Sequence, residues 1–124
     1  MSQRPNYEPA REPEDLARHL LSRINAGDVE GLVALYESDA VLVLPDGYLA
    51  VGAAAIRGFY AELVSSRPRF SAGEQSPALR NGDLALTSSK LANGTITVEI
   101  ARRQADGNWL WAVDHPAIGF ARIT

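Results

Sequence analysis

The sequence predicts an α+β domain: a cone-shaped, curved antiparallel sheet with three helices from the N-terminal half packed on its concave face. Three observations predict it. Two segments with apolar residues at helical spacing precede a short apolar hairpin and a third helical segment. Everything after residue 69 has strand character interrupted by turn residues. No second linker divides the 124 residues. Helices gathered ahead of hairpin-connected strands pack as a layer on one face of a sheet, and a chain this short holds a single core.

Taken in order, residues 1–11 are polar and Pro-rich and read as a flexible N-terminal arm, leaving 12–124 as one domain. A helix begins near Pro13, a residue suited to the first helical position, with Glu14 and Asp15 at the positive end of its dipole. Leu16, Leu20, Leu21 and Ile24 form its apolar stripe, and Gly27 ends it. Asp28 caps a short second helix in which Val29, Leu32, Val33 and Tyr36 recur at helical spacing. Ala40 to Leu44 is apolar at every position, the pattern of a strand covered on both faces. Pro45-Asp46-Gly47 turns the chain into a short returning strand, Tyr48 to Val51. From Gly52 to Ser66 the helical period returns, with Ile56, Phe59, Tyr60, Leu63 and Val64 on one face and Pro68 beyond the end. Arg69 to Arg80 reads as an irregular edge strand. Leu84–Leu91, Thr95–Arg103 and Trp109–His115 follow as strands. Asn93-Gly94 suggests a tight hairpin with both central residues at positive φ.

Composition narrows the function. Twelve basic against 15 acidic residues give a net charge of −3, with no basic stripe for nucleic acid. No apolar run approaches the ~20 residues of a membrane span, and the first 15 residues lack a signal-peptide centre. The absence of cysteine excludes disulfides and thiolate chemistry. A cytoplasmic location is the expectation. The bias to Arg (11 of 12 basic residues) and Ala (19 residues) is typical of GC-rich bacterial genes. Only two histidines occur, without ligand spacing, so neither a metal nor a cofactor is expected.

Three segments carry a resemblance. They are Ile24-Asn25-Ala26-Gly27-Asp28 leading into Leu32 to Val41, Gly52 to Tyr60, and Ala101-Arg102-Arg103 with Asp106-Gly107-Asn108-Trp109 and Asp114-His115. Together they resemble the nuclear transport factor 2-like superfamily, which includes ketosteroid isomerases and SnoaL-type polyketide cyclases. The resemblance implies the fold more than the activity. Where the isomerases place their general base, just before a proline, this sequence has Leu44. Where they place the oxyanion-donating tyrosine of the first helix, it has Leu20. Glu99 falls near their protonated acid, and Tyr36 and Tyr60 look similar to their supporting tyrosines. The usual steroid proton abstraction is therefore not expected.

Glu99 interrupts a strand; facing inward it would be a desolvated acid, facing outward a solvated carboxylate paired with Arg102, Arg103 or Lys90. Asp114 and His115 are adjacent on a strand, so they point to opposite faces and only one can enter the interior. Simple parity puts His115 with Trp109 and Trp111, and Asp114 with Leu110 and Ala112. Asp46 lies near a cavity mouth but is also an ordinary turn residue. His19 flanks the helical stripe as a boundary residue. The expected cavity is lined by Leu20, Ile24, Tyr36, Leu44, Phe59, Tyr60, Glu99 and Trp111, and suits a small apolar or amphipathic molecule. The expected chemistry is cofactor-free acid–base work of isomerase, cyclase or hydratase type, with Glu99 as acid and Asp46, Asp114 or His115 as base. An Asp-Arg-Asp set from Asp46, Arg57 and Asp114 is a further arrangement to test. The alternative is a non-catalytic ligand-binding or dimerisation module. A homodimer through the outer sheet face is expected from the apolar first strand and the residues opposite Trp109 and Trp111.

Overall fold

The computed structural model describes residues 7–117. The chain forms α1 (Asp15–Asn25), α2 (Val29–Val33), β1 (Tyr36–Val43), β2 (Leu49–Val51), α3 (Ala53–Ser65), β3 (Glu74–Gln75), β4 (Leu79–Asn81), β5 (Leu84–Lys90), β6 (Ile96–Arg103) and β7 (Trp109–His115). The strands make one sheet in the order β2-β1-β7-β6-β5-β3, with β4 also paired to β5. No helix among the described residues is long and apolar enough to cross a membrane.

The α+β class stands, but the sheet is mixed rather than antiparallel: β1 and β7 run parallel. The hairpins from β5 to β7 bring the last strand beside the first, and the crossover through α3 sets their common direction. Tyr36 is the first residue of β1, not the last turn of α2. Helix α2 stops at Val33, where Ala34 caps it, and helical spacing alone could not exclude one more turn. The first strand accordingly runs over 36–43, and Leu44 belongs to the turn. The segment 69–80 holds two short strands, β3 and β4, separated at Pro77.

Asn93 does not adopt positive φ; Gly94 does, at 89°. The loop closes through Gly94 N–H to Leu91 O (2.9 Å) and Leu91 N–H to Thr95 O (2.8 Å), a three-residue loop with a glycine bulge. The same pair of bonds recurs at Leu44–Tyr48 and Gln104–Asn108. In each loop the Asx side chain (Asp46, Asn93 or Asp106) accepts the N–H two residues on.

Residues 7–10 are packed against the domain, so the expected arm does not extend through its described part; residues 1–6 lie outside the described residues. Successive carbonyls are each bound. Glu8 O accepts from the Arg23 guanidinium (3.0 Å), Pro9 O from His19 Nε2 (3.3 Å), and Ala10 O from the Trp109 N–H (2.8 Å). His19 is thus buried rather than a boundary residue. Arg23 also donates to Gly31 O (2.7 Å) and sits over the Tyr7 ring. Asp28 completes this corner, capping α2 through Gly31 N–H and accepting from the Tyr7 hydroxyl.

The core joins the inner helix faces, through Leu16, Ile24, Leu32, Ile56 and Tyr60, to Ala40, Leu42, Ala85, Ala101, Trp109 and Trp111 of the sheet. Two strands show their apolar residues outward. In β5, Ala85 and Thr87 are buried while Leu84 and Leu86 are exposed. In β6, Glu99 and Ala101 are buried while Ile100 is exposed. The register lines up Val51, Val41, Val113, Ile100, Leu86 and Leu79, one per strand, into an unbroken apolar row across the outer face.

Replacing Asp28 by Ala removes both the cap of α2 and the Tyr7 contact. Urea unfolding of Asp28→Ala should show a loss of about 1–2 kcal/mol; an unchanged midpoint would mean this corner adds nothing to stability.

Candidate functional site

The site follows from one irregularity in β7. Ala101 pairs with Trp111, but the next residue of β6, Ile100, pairs with Val113, so β7 carries one extra residue. The bulge reverses the alternation beyond Ala112. Trp109 and Trp111 face the core, and Asp114, not His115, faces inward with them. Asp114 is 4% exposed. The parity that grouped His115 with the tryptophans is therefore corrected, and both tryptophans are core residues. His115 lies half-buried opposite Val98, with Nδ1 unpartnered among the described residues.

Asp114 stands directly across from Glu99 on β6. Both acids lie on the inner face. Thr87 of β5, itself wholly buried opposite Glu99, donates its hydroxyl to Glu99 Oε1 at 2.7 Å. Tyr36 donates to Asp114 Oδ2 at 2.6 Å, and the Tyr36 and Tyr60 hydroxyls are 2.6 Å apart. Tyr36 has one proton and gives it to Asp114, so Tyr60 donates to Tyr36. The result is a relay from α3 through β1 to β7, ending beside a second acid. The rings of Tyr36 and Tyr60 are 6.1 Å apart, Tyr36 and Trp111 5.5 Å, Phe59 and Tyr60 5.1 Å.

Burial sets the electrostatics. It pushes Asp114 up to about 7; the neighbouring Glu99 charge adds to the rise, and the Tyr36 hydrogen bond opposes it. Burial also raises Glu99, against hydrogen bonds from Thr87 and Thr97. Tyr36 and Tyr60 are raised too, first by desolvation and then by the Asp114 charge. Asp114 can therefore gain and lose its proton near neutral pH.

The other residues predicted from sequence do not all join this cluster. Glu99 does not pair with a surface cation: Arg102 bonds Glu37 and Arg103 bonds Asp83. Asp46 is exposed, and its carboxylate is committed to the Tyr48 N–H. Arg57 is exposed and paired with Glu30, so Asp46, Arg57 and Asp114 do not form the tested Asp-Arg-Asp set. Ile24 and Trp111 are in the core; Leu20, Leu44 and Phe59 are half-buried beside it. A cleft of about 200 Å³ lies elsewhere, between residues 7–10 and the β6–β7 turn, bordered by Tyr7, Arg23 and Trp109 and by none of the expected lining residues. Thr87 was missed. Its strand, Leu-Ala-Leu-Thr, reads by hydrophobicity as leucines inward, which is the reverse of what is found.

Helices seated on one face of a curved sheet, with titratable groups between them, define a nuclear transport factor 2-like, cystatin-like fold. The sequence pattern of the SnoaL-like domain matches residues 17–116, and the chain belongs to that family. No curated protein matches it significantly. Among solved structures it is similar to a putative calcium/calmodulin-dependent protein kinase type II association domain from Thiobacillus denitrificans, with TM-score 0.70 and 17% identity over 88% of this chain and 96% of that one. A ketosteroid isomerase-like protein from Erwinia carotovora atroseptica gives TM-score 0.66 and 24% identity over 82% and 89%. A domain with a cystatin-like fold from Nostoc punctiforme gives 0.72 and 15% over 86% and 75%.

Asp114 links the site to stability. From its ordinary 3.8 to about 7, the folded protein keeps this proton and the unfolded chain has lost it. Stability therefore falls as pH rises through that window, by up to about 1.4 kcal/mol per pH unit from this group. Denaturant titration of Asp114→Asn should show greater stability than the parent at pH 7 and a shallower decline between pH 4 and 7. Parallel pH curves for the two proteins would show that Asp114 titrates normally.

Proposed function

We propose that the protein binds a small, largely apolar molecule between the helices and the sheet and performs cofactor-free acid–base chemistry on it, of isomerase, cyclase or hydratase type. The relay Tyr60–Tyr36–Asp114, set beside Glu99, carries this reading. Two acids with raised pKa can supply and take up a proton, and Tyr60, by turning its hydroxyl from Tyr36 to a ligand oxygen, can steady the charge that develops there. Asp114, turned inward by the bulge, takes the role of base, and Glu99, anchored by Thr87, that of acid. Half-buried Leu20, Leu44 and Phe59 mark the approach, with Ile24 and Trp111 behind them. Leu44 and Leu20 still stand where ketosteroid isomerases place their base and main donor, so the proton would travel by a different route.

The test is exchange of α-protons of a small cyclic ketone with deuterated water, followed by NMR. The expected result is catalysed exchange that falls at least about a hundredfold in Asp114→Asn, with a smaller loss in Tyr36→Phe. Exchange at the rate of buffer alone across a panel of ketones would overturn the catalytic reading. It would favour a non-catalytic binding or pairing module, a role also supported by the internal satisfaction of the Tyr36, Asp114 and Glu99 hydrogen bonds.

The outer apolar row supports a homodimer through the sheet. A row crossing six strands can meet its own copy about a twofold axis, and removing it from water stabilises the pair. Sedimentation at micromolar concentration should give twice the 13.4 kDa chain mass. Ile100→Glu, at the row's centre, should return it to a monomer. A parent sedimenting as a single chain would sink the dimer.

A further inference from the structure

We infer that the cleft between residues 7–10 and the β6–β7 turn binds a small monocarboxylate with a single flat apolar body, its carboxylate received by Arg23. This site is separate from the acid cluster, since Tyr36, Tyr60, Glu99 and Asp114 do not border it. Three observations carry it.

First, the cleft has the size and walls for such a molecule. Its volume is about 200 Å³, and Pro9, Leu35, Trp109 and Leu110 give it apolar sides. An apolar cavity of roughly 150 Å³ takes one benzene ring, so a single ring is the body that fits.

Second, a buried guanidinium stands in its wall with no counter-ion in contact. Arg23 borders the cleft and is only 9% exposed. It donates to Gly31 O and Glu8 O, and lies 4.7 Å from the centre of the Tyr7 ring. A guanidinium has five N–H donors, and these bonds use two of them. Every Asp and Glu of the chain lies within the described residues, and none forms an ion pair with Arg23. Asp28, whose charge is felt there, turns Oδ1 to the Gly31 N–H and the Tyr7 hydroxyl instead. Burial works against the Arg23 charge. Arg18, Arg57, Arg80, Arg102 and Arg103 differ in being paired with acids at the surface. A buried cation held only by neutral oxygens gains from a carboxylate, which the planar fork can receive through paired bonds.

Third, the rim limits the ligand's charge. Of the two acids that border the cleft, Glu8 reaches towards Arg18, 3.8 Å away, and Asp106 gives one oxygen to the Asn108 N–H. Arg23 is the one cation among the described residues that line the cleft. A dianion such as a phosphate monoester would therefore meet more repulsion than attraction, whereas a single carboxylate matches Arg23. Asn108, whose side-chain amide makes no bond among the described residues, adds a neutral donor on the side of the turn.

The experiment titrates benzoate, benzamide and phenyl phosphate, which share one ring and differ in charge, into the full chain at neutral pH. The signals followed are the backbone N–H groups of Asn108, Trp109 and Leu110 and the Tyr7 ring. Benzoate should bind about tenfold more tightly than benzamide, and more tightly than phenyl phosphate. Ala34 is exposed, has helical backbone angles and borders the cleft, so Ala34→Trp narrows it without touching the Arg23 bonds and should abolish binding of all three. Arg23→Lys keeps the charge and loses the fork, and should weaken benzoate about fivefold with benzamide unchanged. Arg23 also holds Glu8 O, so Asp106→Asn gives a reading independent of that bond. It should tighten benzoate about twofold at low salt, an effect that high salt erases. Equal or tighter binding of benzamide would overturn the carboxylate assignment. Tighter binding of phenyl phosphate would overturn the single charge. Signals that none of the three molecules shifts, or shifts that persist in Ala34→Trp, would remove the site.

Discussion

One extra residue in β7 decides what this domain has inside. Without the bulge opposite Ile100 and Ala101, the alternation begun by Trp109 and Trp111 would carry Val113 and His115 inward and leave Asp114 on the outer face. With it, Asp114 meets Glu99 across the β6–β7 pairing and takes the Tyr36 proton. The bulge also returns Val113 to the outer face, in line with Val41 and Ile100. A single backbone irregularity thus completes both the inner acid pair and the outer apolar row.

The sheet is consequently inverted over part of its width. Its inner face holds Thr87, Glu99 and Asp114, while leucine, isoleucine and valine look outward. Burying acids without cations costs stability unless they are neutral or hydrogen-bonded. Here one route is a held proton and the other is the set of hydroxyls from Thr87 and Tyr36. The interior is therefore polar by arrangement, and the surrounding Leu16, Ile56 and Trp111 supply the apolar packing that keeps it dry.

Much of this was legible in the sequence. The apolar stripes of α1 and α3, the strand runs and the turn triplets place those two helices and most strands within a residue or two, because period and turn chemistry are local. Tyr36 misled because a residue seven beyond Val29 fits a helix as well as a strand start. The parallel pairing of β1 and β7 was hidden because pairing sense depends on the whole path of the chain. Glu99 was legible as a break in an apolar run. Asp114 was narrowed to one of two neighbours and no further, since Trp-Leu-Trp-Ala-Val-Asp carries no mark of a bulge. Thr87 was invisible because its strand reads inside out. The docking of residues 8–10 was equally hidden: Arg23 and His19 look like surface residues until a carbonyl is placed beside each.

That docking has an evolutionary corollary. The domain grips residues 8–10 through their peptide oxygens, which every amino acid possesses. The exposed Glu8 side chain is free to drift, whereas Ala10 lies in the core, and inserting or deleting one residue would slide all three oxygens out of step with Arg23, His19 and the β7 amide. Spacing, together with the small side chain at Ala10, is what selection can act on in that stretch.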